Sequence, residues 1–297
     1  MALPVRPRYI ERLPGGLLRA LFAGQWLPIV GAGISRTAAT EDNRRPPSWA
    51  ELGKALEGDV PGAASDHPIE AISAFAELYG RPVLIERLTE LLLVDDVEPS
   101  SVHLEFTGLP FDTVVTTNAD FLLESAYQRR HRPCVPLLGE SQLSIARRPE
   151  ATYLLKFHGD LRHPGDLVMT EDDYDGFTRR RPLLFTYLSW LLLTREPVLF
   201  GYSLDDSDLR EILALLRDRL GKMSRAGWAI LPTDKGGLAT KFMRRGLKAI
   251  VLDENPEASR QDVLEEFFYE LREAWEREVL PEIAARTDAT TAELRRA

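Results

Sequence analysis

Six short apolar runs constrain this chain more than any other feature: WLPIV (26–30), DTVVTT (112–117), TYLLKF (152–157), PVLFG (197–201), WAIL (228–231) and KAIVLD (248–253). Each is continuous rather than alternating, which marks a strand covered on both faces. Helical patterns follow three of them: DFLLESAYQRR after the second, LDDSDLREILALLRDRL after the fourth and TDKGGLATKFMRRGL after the fifth. Alternation of this kind builds a parallel sheet with helices on both sides. Ligands of such sheets bind outside the carboxyl ends of the strands.

The expected fold is therefore α/β, a Rossmann-like parallel sheet with helices on both faces, interrupted twice by helical sequence. Residues 48–108 read as several helices in succession, opening at SWAE with Ser48 and Glu51 in a capping-box pattern. Residues 171–195 read as a second helical piece, rich in leucine and aromatics. The organisation this predicts is a catalytic domain over 1–255 carrying both insertions, then a helical extension over 256–297. At 297 residues and 44% hydrophobic content, one elaborated domain has ample material for a core. The net charge of −9 argues against a surface for direct nucleic-acid binding. Cys134 is the only cysteine, so neither an intrachain disulfide nor a zinc site of several thiolates can form. No apolar run approaches the roughly 20 residues of a membrane helix, and no signal pattern opens the chain, which predicts a cytoplasmic protein.

Four stretches at predicted strand ends carry chemistry. Gly31-Ala32-Gly33, then Ser35, follow the first strand, where glycines let a backbone approach a pyrophosphate. The next residues, RTAATEDNRRPPSWAE, are polar and broken by Pro46-Pro47, so a long mobile loop is expected from Arg36 to Pro47 in place of a dehydrogenase helix. Thr117, Asn118 and Asp120 end the second strand, where they bind a ligand or cap the next helix. His158 ends the third run beside Gly159, and Gly201 and Ser203 end the fourth.

In this order, GAGIS, TTNAD, HG and GYS resemble the sirtuin superfamily over residues 25–255. Sirtuins read Thr-Gln-Asn-Ile-Asp at the second motif and Gly-Thr-Ser at the fourth. The chain departs from the deacylases, which carry a four-cysteine zinc ribbon, a Pro-Asp-Phe-Arg cofactor loop and a Phe-Gly-Glu acyl-lysine groove. Its HGDL and TEDDY segments look instead like the zinc-free prokaryotic Sir2-like proteins, whose known members mostly destroy NAD+ in anti-phage defence. The resemblance implies an NAD+ glycohydrolase releasing nicotinamide and ADP-ribose, linear or cyclised, as an abortive-infection effector, with NAD as substrate and no metal. It gives Asn118 the nicotinamide ribose and the water, Asp120 the carboxamide, and His158 the proton, a task suited to an imidazole. The Gly31–Gly33 turn, with Ala32 between the glycines, would hold the pyrophosphate through backbone N–H groups, Ser203 would add a hydroxyl donor to phosphate or ribose, and Ser35, Thr117 and Gly201 would complete the cofactor site. Two other readings stand beside it: protein deacylation or ADP-ribosyl transfer, and a nucleotide-binding sensor without turnover.

An unregulated NAD+ hydrolase kills its host, so a gate is expected, through homo-oligomerisation or through a partner such as the DNA-translocating ATPases and short Argonautes that family members work with. No sensor domain is recognisable after residue 255. The candidate contact residues are Tyr187 and Trp190 in the second helical piece and Phe267, Phe268 and Trp275 near the end, read as interface anchors.

Overall fold

The computed structural model describes residues 7–65, 67–145, 147–202 and 227–294, with side chains as far as Pro281. Its strands are β1 (Trp26–Val30), β2 (Thr113–Thr116), β3 (Cys134–Leu137), β4 (Thr152–Lys156), β5 (Glu196–Phe200), β6 (Trp228–Thr233) and β7 (Lys248–Asp253). They form one sheet in the order β3-β4-β2-β1-β5-β6-β7, with every pair parallel. All six apolar runs become strands. The seventh, β3, lacks their signal for a physical reason: it lies at the sheet edge, three of its four residues are half-buried, and Pro136 interrupts it.

Before β1 lies α1 (Gly15–Phe22), and between β1 and β2 run α2 (Ala32–Ser35), α3 (Trp49–Gly58), α4 (Pro68–Tyr79), α5 (Arg81–Leu91) and α6 (Ser101–Gly108). After β2 come α7 (Leu122–Arg129), α8 (Glu171–Asp175), α9 (Phe177–Arg180), α10 (Pro182–Thr194), α11 (Leu238–Arg244) and α12 (Arg260–Leu294). The helix expected after β5, over 204–220, lies outside the described residues. Ser48 caps α3 as its sequence predicts, accepting from the Glu51 amide while Glu51 accepts from the Ser48 amide.

Strand alternation divides the sheet into two faces. Trp26, Val30, Val114, Leu154, Val198 and Phe200 face α1, α6 and α12, while Leu27, Ile29, Val115, Leu155 and Leu199 face α10. A third cluster joins α3, α4 and α5 to Ala119, Leu161, Leu167 and Met169, so the helical insertion leans on the segments that follow β2 and β4.

The end of the chain corrects one expectation. Phe267 and Phe268 are not surface anchors: both are fully buried, and Phe268 meets Phe106 and Phe200 edge-on at 5.3 and 5.2 Å. Charged neighbours such as Glu265 and Glu266 mask this stripe in the sequence, yet Val263, Leu264, Phe267, Phe268 and Leu271 follow helical spacing and cover one sheet face. The start of the chain grips the same helix, the amides of Arg8, Tyr9 and Ile10 donating to the Glu270 carboxylate at 2.6–2.8 Å. Phe268→Ala is accordingly expected to lower unfolding free energy by about 3–5 kcal/mol, the loss typical of a buried ring. Urea denaturation measures it, and light scattering is expected to show unchanged oligomeric state.

Candidate functional site

A cavity of about 420 Å³ opens at the carboxyl ends of β1, β2, β4, β5 and β6, within the size range of small-molecule sites. Gly31, Ala32, Gly33 and Ser35 border it from β1, and Thr117, Asn118 and Asp120 from β2. His158 borders it from β4 and Gly201 from β5. Nine of the ten residues singled out by sequence thus surround one space; the tenth, Ser203, lies outside the described residues.

The glycines are required because two backbones touch here. Gly33 N–H donates to the Gly201 carbonyl at 2.8 Å, and a Cβ on Gly33 would stand 2.8 Å from Gly201 Cα. Gly201 itself holds φ +61°, a left-handed conformation suited to glycine. This geometry revises the expected use of the turn. The Gly31 and Gly33 amides are engaged by the carbonyls of Phe200 and Gly201, so these two do not face a ligand as open donors. What the turn offers is a floor without side chains. It also opens a helix after all, but α2 lasts one turn.

The loop that follows is anchored rather than free. Thr37, Ala38, Thr40 and Pro46 are buried, and the Thr37 hydroxyl donates to the Ile34 carbonyl at 2.7 Å while lying 2.8 Å from Ser100 Oγ. Its Arg36 reaches Glu51, which is held near pH 2 by the Ser48 backbone and by this guanidinium.

On the β2 side the polar groups form a chain. Asn118 Nδ2 donates to Ser35 Oγ at 3.0 Å, and Ser35 Oγ donates to Asp120 Oδ2 at 2.6 Å. Asp120 Oδ1 accepts from the Leu122 amide at 3.1 Å, so this residue both opens α7 and holds the serine. The Asn118 amide donates to Thr116 Oγ1, whose hydroxyl donates to the Val30 carbonyl at 2.8 Å, locking the turn to β1.

His158 is 3% exposed and is packed by aromatic rings, with Tyr174 and Phe177 edge-on at 5.2 and 5.8 Å. Gly159 turns the chain with φ +73°, and the His158 carbonyl accepts from the Val168 amide at 2.9 Å. The cavity wall on this side is apolar, with Trp49, Leu52, Leu92, Val168 and Met169.

Two buried groups escaped sequence reasoning. His103, one of five histidines in the sequence, is 1% exposed on α6, and its Nδ1 accepts from the Ser100 amide at 3.2 Å. Burial pushes its imidazole down to about 4, against the charge of Asp120. Lys156 hid inside an apolar run, yet it is fully buried. Cys134 is half-buried, and burial raises its thiol to about 12, so it is no nucleophile. Among the described residues no group of three or more His, Cys, Asp or Glu could hold a metal ion, and no helix is long and apolar enough to cross a membrane.

Residues 112–252 match the family model of the SIR2-like domain. The chain is 28% identical over 222 residues to the NAD(+) hydrolase ThsA of Acinetobacter baumannii (strain 532279), an alignment covering 72% of this chain and 44% of that protein. It is 24% identical over 258 residues to the defense-associated sirtuin 2 of Bacillus subtilis, covering 82% of this chain and 25% of that one. The chain thus spans between a quarter and less than half the length of these relatives. A crystal structure of a Sir2 homologue in complex with NAD superposes with a TM-score of 0.53 at 12% identity, over 89% of this chain and 95% of that one, which shows a shared fold.

The buried imidazole has a measurable consequence. His103 binds a proton in the unfolded chain near pH 6.5 but in the folded chain only near 4. The unfolded state therefore holds more protons between those values, and stability falls as pH falls from 6.5 to about 4. The expected loss is on the order of 3 kcal/mol at pH 4. Urea midpoints across this window are expected to flatten in His103→Asn.

Proposed function

We propose that this chain is a SIR2-like protein that cleaves NAD+ to nicotinamide and ADP-ribose and acts as an NAD+-depleting defence effector. The observation that carries the reading is the convergence of Asn118 and His158, from adjacent strands, on one cavity floored by side-chain-free backbone. The names of the relatives agree with it, both as hydrolases of NAD(+) and as defence proteins.

NAD+ lies with its diphosphate over the Gly31–Gly33 floor and its nicotinamide ribose between Asn118 and His158. The N-glycosidic bond breaks with its electron pair going to the ring nitrogen, so nicotinamide leaves neutral without protonation, and the ribose develops oxocarbenium character. Water attacks C1′ and loses one proton, which His158 takes up. Asn118 orients the ribose and the water, held by Ser35 and through it by Asp120. The rings around His158 exclude bulk water from the departing base. Attack by the adenine in place of water gives the cyclised product.

With Phe267 and Phe268 buried, the homo-oligomer reading rests on the other candidates, Tyr187 and Trp190 of α10 foremost. There Leu183, Trp190 and Leu193 are exposed at 58%, 51% and 43%, and Trp190 stacks on Tyr187 at 6.1 Å. This stripe carries no charge and covers one helix face, a surface suited to a second copy of itself.

Two measurements test these readings. Incubation with NAD+ followed by chromatography is expected to yield nicotinamide and ADP-ribose, with turnover reduced about 10²–10⁴-fold in His158→Ala and about 10²–10³-fold in Asn118→Ala. Hydrolysis by His158→Ala at the wild-type rate overturns its role as base; acylated peptide consumed with NAD+ favours the deacylase reading, and NAD+ bound but intact the sensor. Separately, Trp190→Asp with Leu193→Asp is expected to lower the mass seen by light scattering while the fold persists. A wild-type monomer at micromolar concentration, fully active, removes the assembly reading.

A further inference from the structure

An ammonium group without solvent exposure sits between the two loops that carry Asn118 and His158. Lys156 ends β4 two residues before His158 and pairs in register with Thr116, two residues before Asn118. Its Nζ donates to the main-chain carbonyl of Asp120 at 2.5 Å and to Glu124 Oε1 at 2.6 Å, while Asp160 Oδ2 lies 3.9 Å away. The Phe121 ring centroid is 4.6 Å from the same nitrogen. One side chain thus touches the turn after β2, the first turn of α7 and the loop after β4.

Filling this space with a methionine would avoid desolvating a charge, which costs several kcal/mol per ion in a protein interior. The partner carboxyl shares the cost: burial pushes Glu124 above the usual carboxylate range, and the ammonium opposes that shift. Asp160 is 3% exposed and organises the loop leaving His158, accepting from the amides of Arg162 and His163 at 2.9 and 3.1 Å. A relay then runs through Asp120. Its carbonyl accepts from Lys156, its carboxylate accepts from Ser35, and Ser35 accepts from Asn118.

The geometry points to Lys156 as a positioning residue for NAD+ cleavage: its ammonium fixes the Asn118–Asp120 turn relative to His158, so that the amide and the imidazole meet the same ribose. This rests on the functional reading above. Lys156 acts through Asp120 and touches no substrate. Without the ammonium the Asp120 peptide loses a charged donor, and the turn is free to shift by a fraction of an ångström to an ångström. Misplacement on that scale costs about 10²-fold in rate while leaving the diphosphate floor intact.

The test separates position from stability with three variants of the full chain, each assayed for NAD+ turnover and thermal unfolding beside the wild type. Lys156→Met is expected to lower both kcat and Tm. Lys156→Met combined with Glu124→Leu replaces the buried pair by apolar groups, which typically restores stability; Tm is expected to recover while kcat stays about 10²-fold low with KM little changed. Glu124→Gln keeps the ammonium on Asp120 and is expected to lose Tm but hold kcat within a few-fold of wild type. The inference is overturned if the double variant turns over at the wild-type rate. It is equally overturned if Glu124→Gln loses as much kcat as Lys156→Met, a comparison available even should the double variant fail to fold. A wild-type chain that leaves NAD+ uncleaved overturns the functional reading and this inference with it; wild-type cleavage with any of the contrary variant results overturns the inference alone.

Discussion

The contact on which the rest of the site depends is a backbone pressed against a backbone. Gly33 donates to the Gly201 carbonyl, and no Cβ fits on either residue. Because β1 and β5 are neighbours in register, from Trp26 opposite Glu196 to Val30 opposite Phe200, both chains leave the sheet at the same height. Their departure sets the floor of the cavity, and β2 on the other side of β1 sets its polar wall. The hydrogen bond from Thr116 to the Val30 carbonyl joins the two.

Around that floor the protein applies two kinds of rigidity. The helical insertion is apolar and packs Leu52, Ile72 and Leu84 against Ala119, Leu161 and Met169, so the loops after β2 and β4 are held from outside. The polar chain of Asn118, Ser35 and Asp120 holds them from inside. Hydrogen bonds buried in this way fix direction as well as distance, which packing alone does not.

Much of this was legible in the order of residues. Continuous apolar runs mark buried parallel strands, and strand ends mark ligand sites, so the sheet and nine residues bordering the cavity follow from local pattern. Three features do not. The edge strand at Cys134–Leu137 is short and proline-broken, so it carries no burial signal. The role of Lys156 depends on partners 32 and 36 residues away that no window connects. Phe267 and Phe268 read as surface anchors because glutamates flank them, although helical spacing buries both rings against the sheet. Local pattern reports which residues are apolar. Which neighbour covers them is decided by the whole chain.

The grip of Arg8, Tyr9 and Ile10 on Glu270 bears on synthesis. These contacts join residues 260 to 262 positions apart, and the helix they grip supplies both one cover of the sheet and, through Arg260 and Leu264, part of the cavity wall. Contacts of such separation form late, after the entropy of closing a long loop has been overcome. On a ribosome, the segment over 26–253 emerges with all seven strands but with one sheet face only partly covered, by α6, and a cavity open on one side. A nascent chain of this design carries an unfinished cavity until α12 has left the exit tunnel and docked, so the cavity wall is complete only once the stretch over 260–294 has been translated.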